Sequence, residues 1–475
     1  MLLNNFHKRY FTVFPNITDY NSVTTILWKI EEEAFFDQQS KMRPPRTFWT
    51  LFLLIFITIL SANVIWGTPL VPFHPDESTQ LFMSKEFDLI FVSPLSMVWL
   101  PEKKGDLTQH YREIDAPITR YLIGIGRTIA GFTALPVDWE WNKSWEENNQ
   151  RGALPDIKLL NVGRWSVVLL FPLCLLLIYK IGSRIGGSAC GVIAALLLGV
   201  NALVLLHNRR AMAESALTFG ILFAIWSFLL GQEKPWLAGI GMALAFNSKH
   251  SSLALLPVGL ISTCWLTPFR FTRIKKIIWN GIQFIGIFIL ITFVLNPYLW
   301  KYPIKALEAS WNSRNELMGK QLSDTIQLAP GQALLTPTQR IAAMVYNTYI
   351  ALPAFSEANN YSEQTKASEE AYLATPSNRL MRNQIWGTVI LILTLFGILT
   401  AMINIRHSPH EKSRELVILL LGTFSQAIFL LFYIPLPWQR YIIPLVPFVC
   451  LWVAFSITML YKAFARSYRA KKRLT

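Results

Sequence analysis

Two neighbouring carboxylates, Asp76 and Glu77, stand in the stretch Phe73-His74-Pro75-Asp76-Glu77-Ser78-Thr79-Gln80, directly after the first apolar run of membrane length. Adjacent acids on a helix or strand cannot point the same way, so one can face a substrate while the other braces it. A second set is basic: His207-Asn208-Arg209-Arg210 with Glu214 behind it, Lys249-His250, and Arg440-Tyr441. Charged groups this close to hydrocarbon are costly and tend to be paired or functional. Arg and Lys suit phosphate through charge-assisted hydrogen bonds. Together the two sets offer a base and a phosphate site. If the donor is a sugar joined to a lipid phosphate, the leaving group is already a stable anion that cations can hold, whereas an alcohol acceptor needs a carboxylate base to take its proton. A single displacement would invert the anomeric centre.

Each residue also has a plainer use. Asp76 suits the N-cap of a helix running through Ser78 to Phe87, with Glu77 at the favourable end of its dipole. Any one of the cations can snorkel to the interface or meet a lipid phosphate. What favours chemistry is convergence: three separate basic sites on the side of the two acids make a shared anionic ligand the better account.

The elements that must position these groups are membrane spans. Of 475 residues, 52% are hydrophobic and 15% charged, with 17 Trp and 31 Phe, which is more apolar surface than one soluble core needs. The fold class expected is all-α and polytopic. The net charge of +15 comes from Lys and Arg gathered at the ends of apolar runs, where retention on the cytoplasmic side explains them, and no nucleic-acid module is visible. Cys174, Cys190, Cys264 and Cys450 all fall inside apolar runs without paired spacing, so neither disulfides nor a cysteine zinc site is indicated.

Residues 1–46 read as a cytoplasmic segment in which Ile26, Leu27, Ile30, Ala34 and Phe35 recur at near-helical spacing. Lys41, Arg43 and Arg46 then place the start of the run 47–66 inside, and the first long segment, 67–159, outside. Within it, 117–135 carries Arg120 and Arg127 and is read as an interfacial helix. Spans follow at 160–180, 187–206 and 211–231. The run 236–266 is broken by Asn247-Ser248-Lys249-His250 and is read as a hairpin, because a single crossing would put Arg270, Arg273, Lys275 and Lys276 outside. Its first arm rises only about 16 Å, too short to cross alone, which places the tip in a protein-lined or wet cavity. A span at 277–297, a second external segment at 298–383, spans at 384–404, 415–434 and 440–461, and the basic tail 462–475 complete the chain. The count is about ten crossings, with both ends inside. That topology leaves Arg209, Arg210, Lys249 and Arg440 as the basic residues of the short external turns.

The pattern resembles the polytopic glycosyltransferases that use polyprenyl-phosphate sugars, the GT-C superfold, and within it the bacterial relatives of protein O-mannosyltransferases and lipid A aminoarabinose transferase. The matching residues are Phe73-His74-Pro75-Asp76-Glu77, Asp115-Ala116-Pro117-Ile118, Arg209-Arg210-Ala211-Met212-Ala213-Glu214, Asn247-Ser248-Lys249-His250 followed by Pro257, and Arg440-Tyr441-Ile442-Ile443-Pro444. The resemblance covers residues 47–461, with the His-Pro-Asp-Glu loop its specific part. It implies a GT-C-like bundle in a bacterial plasma membrane with the active site facing outward. Asp76 would be the base, Glu77 a supporting or metal-binding partner, and His74, Arg120, Arg209, Arg210, Lys249, His250, Arg440 and Tyr441 the substrate contacts. Aminoarabinose transferases have a Lys before the Pro at which this chain has Ala116, and Arg120 is the residue at hand to replace it. Two adjacent acids do not specify a metal site, so a divalent cation beside them is left open. The partners implied are a polyprenyl-phosphate-linked sugar, an acceptor that is a lipid, a glycan or a protein, and membrane lipids. A transporter or flippase of a lipid-linked sugar is the alternative, but it would more often show two related halves with matching broken helices, and only one broken segment is present.

Overall fold

A computed structural model describes residues 46–265, 274–356, 361–407 and 409–474, and among these there are helices and no strand. In order they are α1 (Arg46–Trp66), α2 (Pro75–Met83), α3 (Glu86–Val92), α4 (Leu107–Ile114), α5 (Ile118–Ile129), α6 (Trp145–Gln150), α7 (Ile157–Val168), α8 (Phe171–Gly186), α9 (Ser188–Gly199), α10 (Ala202–Asn208), α11 (Ala213–Leu229), α12 (Pro235–Ser248), α13 (Leu256–Cys264), α14 (Ile274–Leu295), α15 (Pro303–Leu328), α16 (Pro337–Tyr349), α17 (Ser362–Ala374), α18 (Gln384–His407), α19 (His410–Tyr433) and α20 (Val446–Leu474). The amphipathic stretch expected near residues 26–35 lies outside the described residues.

Among the described residues, six helical stretches are long and apolar enough to cross a membrane: Trp49–Leu70, Ile157–Gly186, Ile274–Leu295, Gln384–His407, His410–Tyr433 and Gln439–Lys472. The chain is an integral membrane protein. A seventh crossing is the pair α9 and α10, if taken as one span bent by 60°. The expected count of about ten is not reached by length, and the difference lies in two places. The run at 211–231 forms a helix of 17 residues, α11. The run 236–266 breaks into α12, a 3-10 turn from His250 to Leu255, and α13, with Lys249 extended at the break (φ −162°, ψ 132°).

The helices of residues 57–475 pack as one unit, with α11 on α12, α8 on α9, α12 on α14, and α20 against α9 and α18. Gly187, at φ +97°, makes the tight turn that reverses α8 into α9, a conformation a side chain would strain. The last helix runs on through the basic tail instead of ending near residue 461, and Lys462 Nζ donates to the Gly186 carbonyl at 2.9 Å.

The first long segment is built on an apolar cluster of Leu81, Phe82 and Met83 from α2, Ile123 from α5, and Leu159, Leu160 and Val167 from α7. This cluster seats α2 against α5 and α7 and leaves its first turn facing the basic groups. The stretch 117–135 forms the 12-residue helix α5, too short to cross, with Arg120 and Arg127 buried and paired to Glu86 and Asp88.

Candidate functional site

Pro75 fixes where α2 begins. Proline is favoured at the first helical position, where its missing N–H is not needed, so the cap falls one residue earlier, on His74 instead of Asp76. The Asp76 N–H donates to His74 Nδ1 at 3.1 Å, and the His74 N–H donates to Glu77 Oε2 at 3.1 Å. The two carboxylates then diverge.

Glu77 is fully buried. Its Oε1 accepts from Arg164 Nε (2.7 Å) and from the Ala211 N–H (2.8 Å), and its Oε2 accepts from Arg164 Nη2 (2.8 Å) as well as from His74. Arg164 reaches on to the Val71 carbonyl at 2.9 Å. Burial pushes this carboxyl up, but the Arg164 guanidinium outweighs it and the pKa lies below the usual range. With four donors satisfied, Glu77 ties α2 to α7 and to the turn before α11, and has no lone pair left for a metal ion.

Asp76 is partly exposed, at 29%, and its Oδ2 accepts from Arg440 Nη1. Burial raises this carboxyl too, but Arg440, with His74 and Lys249 adding to the pull, holds it below the usual carboxylate range. The Arg440 guanidinium lies 5.0 Å from the Trp438 ring centroid and 5.7 Å from that of Tyr441, which stacks on Trp438 at 5.5 Å. Lys249 Nζ is 5.6 Å from the same Tyr441 ring and donates to Glu214 Oε1 at 2.7 Å. The second Glu214 oxygen is buried without a hydrogen-bond partner. Tyr441 also borders a shallow, largely apolar groove lined by Met344, Leu430, Leu436 and Ile442.

The other residues singled out in the sequence have different surroundings. Arg209 is buried and spends its guanidinium on the Asn63 and Val64 carbonyls, the Tyr372 hydroxyl and the Asn378 amide oxygen. A Cβ on Gly67 would lie 2.3 Å from that guanidinium, so the close approach needs glycine there. Arg210 Nη2 donates to the Phe355 carbonyl at 3.0 Å. Arg120 is ion-paired to Glu86 at 2.8 Å and donates to the Asp115 carbonyl, so it is held by the protein. The His250 ring packs on Phe246 at 5.0 Å.

Two contributors, Arg164 and Asp138, do not stand out in the sequence, and a third, Asp115, is marked there only within the Asp115-Ala116-Pro117-Ile118 match. Arg164, the brace of Glu77, sits within an apolar helix, and an ionisable residue there is the signal that could have found it. Asp115 accepts from Gln80 Nε2 at 3.5 Å, one turn along α2 from Asp76, and burial pushes its carboxyl up further than Arg314 and Arg120 offset. Asp138 is buried, accepts from the Tyr111 hydroxyl, and is likewise pushed up by burial. Among the described residues no three His, Cys, Asp or Glu side chains gather as a metal site would require. With Glu77 saturated and Asp76 facing a guanidinium, the pair as arranged does not fit a divalent cation.

A family model described as dolichyl-phosphate-mannose-protein mannosyltransferase matches residues 113–303, less than half of the chain. No curated protein matches. Among solved structures, the chain is similar to the archaeal oligosaccharyltransferase AglB from Archaeoglobus fulgidus in complex with an inhibitory peptide and a dolichol-phosphate. The TM-score is 0.51 at 13% identity, covering 90% of this chain and 52% of that one. The apo form of the A. fulgidus oligosaccharyltransferase gives 0.51 at 14% identity over 90% and 52%. ArnT from Cupriavidus metallidurans bound to undecaprenyl phosphate gives 0.44 at 14% identity over 87% and 60%. The fold is therefore GT-C. The chain spans about half the length of the oligosaccharyltransferases it matches.

Proposed function

We propose that the protein is an inverting glycosyltransferase that moves a sugar from a polyprenyl-phosphate carrier to an acceptor at the outer face of a bacterial plasma membrane. The observation that carries this reading is the division of labour between adjacent acids: Glu77 is buried and saturated, while Asp76 stays ionised, partly exposed, and beside two cations. Asp76 takes the acceptor's proton as the sugar carbon is attacked. The carbon–oxygen bond to the carrier breaks on the opposite face, and the departing phosphate is held by Arg440 and Lys249. His74 and Glu77 set the direction of Asp76, and Tyr441 carries both cations on its ring. The groove beside Tyr441 suits the first isoprene units of the carrier. Arg120, Arg209 and Arg210 serve as ties between segments, and His250 packs the hairpin tip.

Supporting this reading are the GT-C fold, the mannosyltransferase family match across residues 113–303, and a fold neighbour in complex with an inhibitory peptide and a dolichol-phosphate. In the same reading residues 47–461 form the membrane domain, with 67–159 and 298–383 outside and 462–475 as a basic inner end. The test is to incubate the purified protein with a panel of polyprenyl-phosphate sugars and follow which donor is consumed. Consumption of none, with or without added acceptors, would overturn the proposal.

A further inference from the structure

The turn after the buried pair Asp138 and Trp139 carries an indole, Trp141, that is 43% exposed yet tightly held. Asn148, itself fully buried, fastens this turn. Its Oδ1 accepts from the Glu140 N–H at 2.9 Å, and its Nδ2 donates to the carbonyls of Glu140 (2.9 Å), Lys143 (3.4 Å) and Ser144 (3.0 Å). The Trp141 ring meets two others edge-on, Tyr361 at 6.2 Å and His74 at 6.3 Å. Tyr361 is fully buried and also contacts His74 (5.7 Å) and Trp139 (6.4 Å). His74 in turn places Nδ1 4.0 Å from Asp76 Oδ1. A single imidazole therefore separates an exposed, preorganised indole from the candidate base.

We propose that Trp141 is the platform on which the acceptor rests, and that the acceptor is a carbohydrate ring, the terminal pyranose of a glycan or glycolipid. This rests on the transferase reading and names the substrate class it left open. A pyranose has one face of C–H bonds and a rim of hydroxyls, so it needs a flat apolar surface edged by charged hydrogen-bonding groups. The turn supplies both. The same turn carries Glu140, Lys143 and, through its ion pair with Glu140, Arg151, with side chains 39%, 34% and 33% exposed and linked as Lys143–Glu140 (3.4 Å) and Arg151–Glu140. A ring fixed before binding gives contact area at little entropic cost. A ring stacked there presents its hydroxyls toward His74 and Asp76.

The test uses the full chain in lipid nanodiscs and saturation-transfer NMR. The probes are methyl glycosides of mannose, glucose and N-acetylglucosamine, with a Ser/Thr-rich peptide for comparison. At least one glycoside is expected to receive saturation, strongest on the protons of one ring face. Trp141→Ala is expected to weaken its binding roughly tenfold, and Trp141→Phe less, with the thermal midpoint of both variants close to that of the parent. Equal saturation of parent and Trp141→Ala, saturation of the peptide alone, or none of any glycoside would overturn the platform. Full sugar transfer by Asp76→Asn would overturn the transferase mechanism instead and leave the platform to be judged by the glycoside signal.

Discussion

Arg440 and Asp76, 364 positions apart, close an ion pair between the start of the last membrane-length stretch and the first turn of α2. The guanidinium that would hold a departing phosphate thus rests on the carboxylate that would take the acceptor's proton. A phosphate arriving at Arg440 competes with Asp76 for it, and the carboxylate it releases is then available as a base.

Asp76→Asn should lower transfer by about 10²–10⁴-fold, the usual range for a lost general base. The chain should still fold, because this carboxylate is partly exposed and braces nothing else. Product formation beside binding of the free polyprenyl phosphate checks both parts. Undiminished transfer would return Asp76 to a purely structural part.

Glu77→Gln should behave as a folding defect. It leaves Arg164 buried without its counter-charge, which costs about 3–5 kcal/mol. The thermal midpoint in detergent should fall well below that of Asp76→Asn. Adding Arg164→Met should recover part of the loss, and an additive double variant would refute the coupling.

Lys249→Ala should weaken polyprenyl-phosphate binding by roughly 10–100-fold, the range for one hydrogen bond to a charged group. Both variants should lower stability, Lys249→Ala because it leaves the buried Glu214 without its counter-charge, but Arg209→Ala should keep the phosphate affinity, since its partners are carbonyls and side chains of the protein. Calorimetric titration and a melting curve on each variant separate the two uses. An affinity lost only in Arg209→Ala would reverse the assignment.

The acid limb of the pH profile should lie low. Because Arg440 depresses the Asp76 pKa, the basic form is present through neutral and mildly acid pH and is lost only as pH falls through the depressed value. The sign for stability is the same: this pair contributes above the unfolded carboxylate pKa, and its contribution disappears as pH falls through the folded one. Arg440→Gln should move the acid limb of acceptor-dependent turnover upward. A limb that stays in place would show that another group sets it.

Much of the site was legible because charge in apolar surroundings is conspicuous. Asp76, Glu77, Lys249 and Arg440 declare themselves by position, and the broken run at Asn247 to His250 by its interruption. What one-dimensional reading could not supply is pairing. Nothing in the spacing says that Glu77 meets Arg164, that Arg120 meets Glu86, or that Arg209 faces Asn63 and Asn378. Those partners are chosen by how helices distant in sequence come together. The cap of α2 differed from expectation for a local reason, since Asp is a commoner cap than His, and Pro75 at the first helical position overrode that preference. The span count differed because apolar runs such as 211–231 are long in sequence but yield shorter helices.

The last membrane-length stretch, Gln439–Lys472, is held at two points along its length. Lys462 is bonded to the Gly186 carbonyl, and Arg440 reaches Asp76. Between them, Val446 to Lys462 rises about 24 Å as α-helix and the 3-10 turns Gln439–Tyr441 and Ile443–Leu445 add the remainder, comparable to the ~30 Å thickness of a bilayer's hydrocarbon. On the transferase reading such a strut would set the depth at which a phosphate is met and leave the lipid below it ungauged, so carriers of unequal length are expected to be accepted alike.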